Sequence, residues 1–76
     1  MGCMEAEMVI VENLQDWVDE EQLRKTFEQI GVVTYVEQQY NAAVVAFETA
    51  EIAQEAQQSF DGVELCGRKM SVSMVW

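Results

Sequence analysis

Apolar residues recur along the chain with two spacings, one typical of strands and one typical of helices. Met8–Val11 is a continuous apolar run followed closely by Asn13, which predicts a short, largely buried strand. Leu23, Phe27 and Ile30 then follow at helical spacing, which places them on one face of a helix. The first half of the chain is therefore expected to contain a strand and then an amphipathic helix.

Polar residues and a glycine predict where this helix begins and ends. Asp19 and Gln22 have the spacing of a capping box, in which the cap side chain accepts a hydrogen bond from the first helical turn. Gly31 is expected to end the helix. The β-branched and aromatic residues of Val32–Gln39 predict a second strand, and Tyr40–Asn41 a tight hairpin turn after it.

The second half of the chain predicts a strand, a helix and a strand. Ala42–Phe47 is the third predicted strand, and Thr49 is the expected N-cap of the second helix. The apolar residues on the inner face of that helix are Ile52, Ala53, Ala56 and Phe60. Serines alternate with apolar residues in Met70–Val75, which predicts the last strand. The order β-α-β-β-α-β predicts an α+β, ferredoxin-like sandwich in which two helices cover one face of a four-stranded antiparallel sheet.

Composition and charge narrow the possible functions. A length of 76 residues predicts one domain, here residues 8–76 behind a flexible arm of residues 1–7. The chain is 50% hydrophobic and lacks proline, which argues against disorder. Fourteen acidic residues outnumber four basic ones, giving a net charge of −10 that repels a polyanion or serves only solubility. Cys3 and Cys66 form no metal-binding motif. We predict no catalytic residue, no enzymatic activity, no cofactor, no metal site and no membrane span.

Several segments, in this order, resemble the RNA-recognition motif family. Val9–Leu14 is similar to the hexamer on the family's first strand, Asp19–Gly31 to its first helix, and Tyr40–Phe47 to its octamer. Further similarities are Ala53, Ala56, Phe60, Gly62 and Gly67–Val72. The resemblance runs from about Met8 to Val75. It implies the fold described above, a nuclear location and a role in RNA processing or ribonucleoprotein assembly.

The aromatic side chains on which this family stacks bases are missing. The resemblance places those aromatics at Ile10, Ala42 and Val44. Tyr40 replaces the basic residue that opens the octamer, and Asn41 replaces its glycine. Because stacking contributes about 1–3 kcal/mol per base, we expect direct RNA binding at the sheet to be weak or absent.

The open sheet face is expected to bind a partner protein or a second copy of the domain. Counting alternate residues places small apolar groups at its centre and carboxylates and hydroxyls at its rim. The expected face residues are Ile10, Glu12, Tyr35, Glu37, Ala42, Val44, Ala46, Ser71 and Ser73. Trp76 either folds back across this face, over Ala42, Val44 and Ala46, or is exposed without a role.

Two further surfaces are candidates. An acidic and aromatic surface suited to a basic peptide consists of Trp17, Asp19, Glu20 and Glu21. Alternatively, the Trp17 ring covers the end of the core near Leu14. The alternative function is weak, non-standard binding of single-stranded RNA through loops, Tyr35 and the Arg68 and Lys69 pair.

Overall fold

Strands and helices follow the predicted order in the computed structural model, which describes residues 7–74. They are β1 (Met8–Glu12), α1 (Glu20–Phe27), β2 (Val33–Gln39), β3 (Ala42–Phe47), α2 (Ala50–Phe60), β4 (Glu64–Leu65), β5 (Arg68–Lys69) and β6 (Ser71–Met74). The main sheet is antiparallel with the strand order β2-β3-β1-β6, and both helices pack on one of its faces. The predictions for Cys3, Trp76 and most of the N-terminal arm lie outside the described residues. Neither of the helices in residues 7–74 is long and apolar enough to cross a membrane.

The core lies between the helices and one face of the sheet, and the strand alternation decides which side chains reach it. In β1, Val9 and Val11 are fully buried, whereas Ile10 between them is only half-buried. Phe27 of α1 connects the layers, because its ring packs edge-on against Phe47 of β3 and Phe60 of α2, with centroids 6.0 and 4.8 Å away. Burying a side chain of this size stabilises the fold by about 1.5–3 kcal/mol.

Both helices begin at the predicted cap residues. The Asp19 carboxylate accepts a hydrogen bond from the backbone N–H of Gln22 at 2.9 Å. The Thr49 hydroxyl accepts one from the backbone N–H of Ile52 at 3.2 Å. Each cap contributes about 1 kcal/mol by satisfying a donor that the helix leaves unpaired.

The predicted helix stop at Gly31 is wrong, because α1 already ends at Phe27. A turn follows, in which the backbone N–H of Ile30 donates to the Phe27 carbonyl at 3.0 Å. Gly31 lacks the positive φ of a glycine cap. Its small size has a different use: a Cβ at this position would lie 2.8 Å from Cγ2 of Ile52. Gly31 therefore allows α2 to pack closely against the turn after α1.

The sequence pattern did not predict the short hairpin of β4 and β5. Glu64 pairs with Lys69 and Leu65 with Arg68. The turn between them is formed by Cys66 and Gly67, both with positive φ (55° and 89°). Two consecutive positive φ values define the turn type that suits a two-residue hairpin, but cysteine seldom adopts one. Gly67 was therefore the only residue of this turn that the sequence marks as turn-forming.

Replacing Gly31 with alanine is expected to destabilise the fold by about 1–3 kcal/mol, because the added Cβ overlaps the Ile52 side chain. In an Ile52→Ala background the overlap disappears, and Gly31→Ala should be neutral or stabilising. Urea unfolding of the two single variants and the double variant measures this coupling.

Gly67→Ala is the matched control for this cycle. Gly67 has a φ of 89° and no atom within 4 Å of its potential Cβ, so alanine there is strained by the backbone alone. Its cost should not change with Ile52→Ala. An equal cost for Gly31→Ala in both backgrounds would contradict the packing explanation.

Candidate functional site

The face of the sheet away from the helices is open, and its side chains form rows across the strands. In the central row, Glu37 of β2 lies opposite Val44 of β3, and Val44 lies opposite Ile10 of β1. Ser73 of β6 completes the row opposite Ile10. The centre of this face is therefore aliphatic, with a carboxylate at one edge and a hydroxyl at the other.

Two neighbouring rows extend the face in both directions along the strands. On one side, Ala46 lies opposite both Tyr35 and Met8. On the other side, Gln39 lies opposite Ala42. Met8 and Gln39 were not predicted as face residues, although both lie an even number of residues from Ile10 or Glu37 and the period-two count could have included them.

The predicted face residues point away from the core, but one of them is less exposed than expected. The described face residues are half-buried or exposed, apart from Ala46, which is only 9% exposed. Ala46 pairs with Tyr35 and Met8, two exposed residues of the open face, so its burial does not come from a reversed orientation. Its methyl group lies in the row between the longer side chains of Tyr35 and Met8 and offers little contact area.

Small side chains leave a hollow of about 190 Å³ on the open face. The hollow is lined by Ile10, Glu37, Gln39, Ala42, Ala43 and Val44. Ala43 points into the core and contributes its backbone, whereas the side chains of Ile10, Ala42 and Val44 stand on the open side. These three positions are the ones at which the sequence resemblance expects aromatic rings. The structure thus brings them together around a space that their own side chains do not fill.

A hydrogen bond on β2 orders one edge of the hollow. The Tyr35 hydroxyl donates to Oε1 of Glu37 at 2.8 Å, and the Tyr35 side chain is 49% exposed. This bond to a carboxylate, with smaller effects of burial and of the charges of Glu37 and Glu20, raises the pKa of the Tyr35 phenol. The bond holds an aromatic ring next to a carboxylate at the surface.

Carboxylates on this face have no basic side chain beside them, because none of the four strands of the main sheet contains lysine or arginine. Glu12 and Glu37 are both exposed. Arg24 and Lys25 belong to α1 and pair with Glu28, the C-cap of this helix, and with Glu21, at 3.8 and 3.7 Å. Arg68 and Lys69 form β5, outside the main sheet. A polyanion lying on the face would find no cation of the sheet to neutralise it.

The structure does not bring Tyr35 together with Arg68 and Lys69, the residues of the alternative RNA-binding mode. The Lys69 carbonyl accepts a hydrogen bond from Nδ2 of Asn13 at 2.7 Å, which holds β5 beyond the C-terminal end of β1. Tyr35 lies at the opposite end, in the row of Met8 at the start of β1. Ser71, the first residue of β6, follows Lys69 closely and marks the position of β5. From the spacing of strands and of residues along them, Tyr35 and Ser71 lie roughly 20 Å apart across the sheet.

The loop between β1 and α1 carries the second candidate surface. Trp17 is 68% exposed, so the alternative that its ring covers the core near Leu14 is wrong. Side-chain hydrogen bonds hold the loop against the hairpin of β2 and β3: Nδ2 of Asn41 donates to the Leu14 carbonyl at 2.6 Å and to Oδ1 of Asp16 at 2.8 Å. Gln38 also donates to the Val18 carbonyl. The exposed Trp17 therefore extends from an ordered loop.

A groove of about 650 Å³ lies beside this loop. It is lined by Asp16, Val18, Asp19, Glu20, Glu21, Gln38 and Tyr40. Two of the predicted acidic residues already have local partners, since Asp19 caps α1 and Glu21 lies 3.7 Å from Lys25. Among residues 7–74, no three cysteine, aspartate or glutamate side chains are arranged to hold a metal ion.

A comparison with family models identifies a family, and a comparison with solved structures finds similar folds. The family model described as the RNA recognition motif (RRM) matches residues 9–71. The solved structure of Pes4 RRM3 has a TM-score of 0.84 and 16% identity, covering 92% of each chain. The N-terminal RNA-binding domain of a hypothetical protein has a TM-score of 0.84 and 26% identity, over 93% of this chain and 80% of that one.

A structure of the C. elegans NONO-1 homodimer is also similar, with a TM-score of 0.87 and 24% identity over 92% of this chain and 29% of that one. At these low identities, the Pes4 and NONO-1 structures show a shared fold. A search of curated protein sequences finds no match to the chain.

Glu37→Gln is expected to lower the pKa of Tyr35 towards its ordinary value of 10.0, because the charged acceptor of its hydroxyl is removed. Because folding raises the pKa of Tyr35, the bond contributes its full stabilisation at pH values below the ordinary pKa. This contribution is lost as the pH rises through the raised pKa. NMR titration of the Tyr35 Cζ resonance measures the pKa of Tyr35 in the unmodified chain and in the variant. Glu12→Gln, which removes a charge from the same face without touching Tyr35, is the control; an equal decrease in both variants would contradict a specific bond.

Val44→Glu is expected to fold, with a stability loss of about 1 kcal/mol from the like charge of Glu37 across the strands. Val45→Glu, one residue along, is the matched comparison. Val45 is 0% exposed, so the same substitution buries a carboxylate and should unfold a domain of this size. Circular dichroism and urea unfolding separate the two results. Unfolding of Val44→Glu would show that this side chain does not face solvent.

Proposed function

The chain belongs to the RNA recognition motif family, and from this premise we propose that it is a non-catalytic, protein-binding module of an RNA-processing or ribonucleoprotein assembly. Its open sheet face contacts a partner protein or a second copy of the domain in place of stacked RNA bases. A nuclear location is part of the same proposal and is supported by the family alone.

The observation that carries this proposal is the hollow where the family has aromatic rings. Ile10, Ala42 and Val44 offer no ring on which a base can stack. Losing three such platforms, at about 1–3 kcal/mol each, removes a large part of the roughly 8 kcal/mol that a micromolar complex requires. The fold is retained while its usual source of affinity for RNA is missing.

The same residues create an apolar surface suited to protein contact. Ile10 and Val44 are half-buried in the central row of the face, and Met8, in the neighbouring row, is 37% exposed. Removing apolar surface from water on binding supplies about 25 cal/mol per Å² before the costs of association. The exposed Trp17 and its acidic groove provide a second candidate surface for the same protein-binding role.

Two further observations bear on the choice of partner. The separation of Tyr35 from Arg68 and Lys69 weakens the alternative in which these residues bind RNA together. A domain of this fold occurs in the NONO-1 homodimer structure, which makes a second copy of this chain a reasonable partner to test.

A titration with a degenerate pool of single-stranded RNA at low salt tests the proposal. In the unmodified chain, we expect no amide shifts at Ile10, Tyr35, Ala42 and Val44. In a variant carrying Ala42→Tyr and Val44→Phe, the restored platforms should increase RNA affinity at least about tenfold, in line with the free energy of stacking. NMR spectra of both proteins with the same RNA give the comparison.

The control variant places the same two aromatic residues at Gln54 and Gln58, which are exposed on α2 away from the sheet. It should bind RNA no better than the unmodified chain. RNA-dependent shifts at the sheet of the unmodified chain, weakening steeply with salt, would overturn the proposal. Broadening of the same residues with protein concentration alone would identify a second copy as the partner.

A further inference from the structure

We infer that the hollow on the open face binds one large apolar side chain of a basic segment in a partner protein, and that a lysine or arginine of this segment pairs with Glu37. The inference rests on the proposed protein-binding function and specifies the chemistry of the partner.

The hollow has the size and lining for one apolar side chain. A protein cavity of about 150 Å³ can hold benzene, and the hollow measures about 190 Å³. Ile10, Ala42 and Val44 present only aliphatic groups to it. A leucine, isoleucine or phenylalanine inserted there would contact these three side chains and exclude water from them.

The rim of the hollow supplies the charge that selects the rest of the segment. Glu37 lines the hollow and lies directly opposite Val44. Its Oε1 accepts the Tyr35 hydroxyl, which sets a half-exposed phenol ring next to the carboxylate. A guanidinium group can pair with the carboxylate and stack on the ring at the same time, a combination that water and a neutral side chain cannot provide.

Charge also favours a basic segment over a second copy of the chain as the partner at this face. Two copies packed face to face would bring Glu12 and Glu37 of both copies into one interface, and the main sheet of neither copy contains a lysine or arginine. Each copy also carries a net charge of −10. These charges disfavour a symmetric pair of chains. They attract a basic segment that comes within about one Debye length of the face.

Selection from a phage-displayed library of random dodecapeptides against the folded chain tests the inference. We expect the enriched peptides to combine at least one large apolar residue with lysine or arginine. A synthetic enriched peptide should shift the amides of Ile10, Glu37, Ala42 and Val44. Glu37→Lys should weaken its binding about tenfold, and exchanging the peptide's basic residues for glutamate should recover affinity for that variant.

Two variants test whether peptide affinity depends on the hollow and its rim or on the net charge of the chain. Glu55→Lys makes the same change in net charge on an exposed position of α2 and should leave peptide affinity nearly unchanged. Ala42→Leu fills the hollow without changing charge and should abolish binding. Circular dichroism confirms that each variant is folded before its affinity is measured.

The possible outcomes distinguish the inference from the function on which it rests. Enriched peptides that are apolar but neutral or acidic, and that bind the sheet regardless of Glu37→Lys, would overturn the basic-segment inference and leave the protein-binding proposal intact. The same holds for a library that yields no peptide while the chain dimerises through its sheet. RNA-dependent shifts at Ile10, Ala42 and Val44 would overturn both.

Discussion

The register between β1 and β3 is the constraint on which the rest of the structure depends. Val9 opposite Val45 and Ile10 opposite Val44 assign alternate residues of both central strands to opposite faces. A slip by one residue would turn the buried valines towards solvent and place Ile10 and Val44 against the helices. The burial of Val9 and Val45 therefore specifies the core and the open face at the same time.

This division lets the two faces of the sheet serve separate purposes. Phe47 is 1% exposed and packs against Phe27, so its aromatic ring is required by the core. Ala42 and Val44 alternate with the buried residues of β3, so their side chains lie outside the core that stabilises the fold. A domain of this family can therefore lose the rings on its open face while it keeps the packing that holds its helices in place. The consequence is a stable sheet whose surface chemistry differs from that of a base-stacking platform.

Electrostatics reinforce this change in surface chemistry. The basic residues of α1 are engaged with glutamates on the helical side, and the remaining two form β5. The carboxylate of Glu37 is used locally, as an acceptor for Tyr35, yet it remains at the surface and next to apolar groups. Carboxylates beside an aliphatic centre match the partner proposed above, which combines apolar and basic side chains. Nucleic-acid binding, by contrast, depends on neutralised phosphates, for which the strands of the main sheet supply no lysine or arginine.

Local patterns in the sequence determined the order of the elements, the caps at Asp19 and Thr49, and the orientation of most face residues, because each depends on neighbours a few positions away. Only the tertiary structure decided the features that depend on contacts between distant segments. Gly31 is small because Ile52 of α2 approaches it, and Asn41 joins the hairpin to the loop at Leu14 and Asp16. Likewise, the hollow exists because β1 and β3 bring Ile10, Ala42 and Val44 together beside the β2 strand, a juxtaposition that no single stretch of the chain encodes.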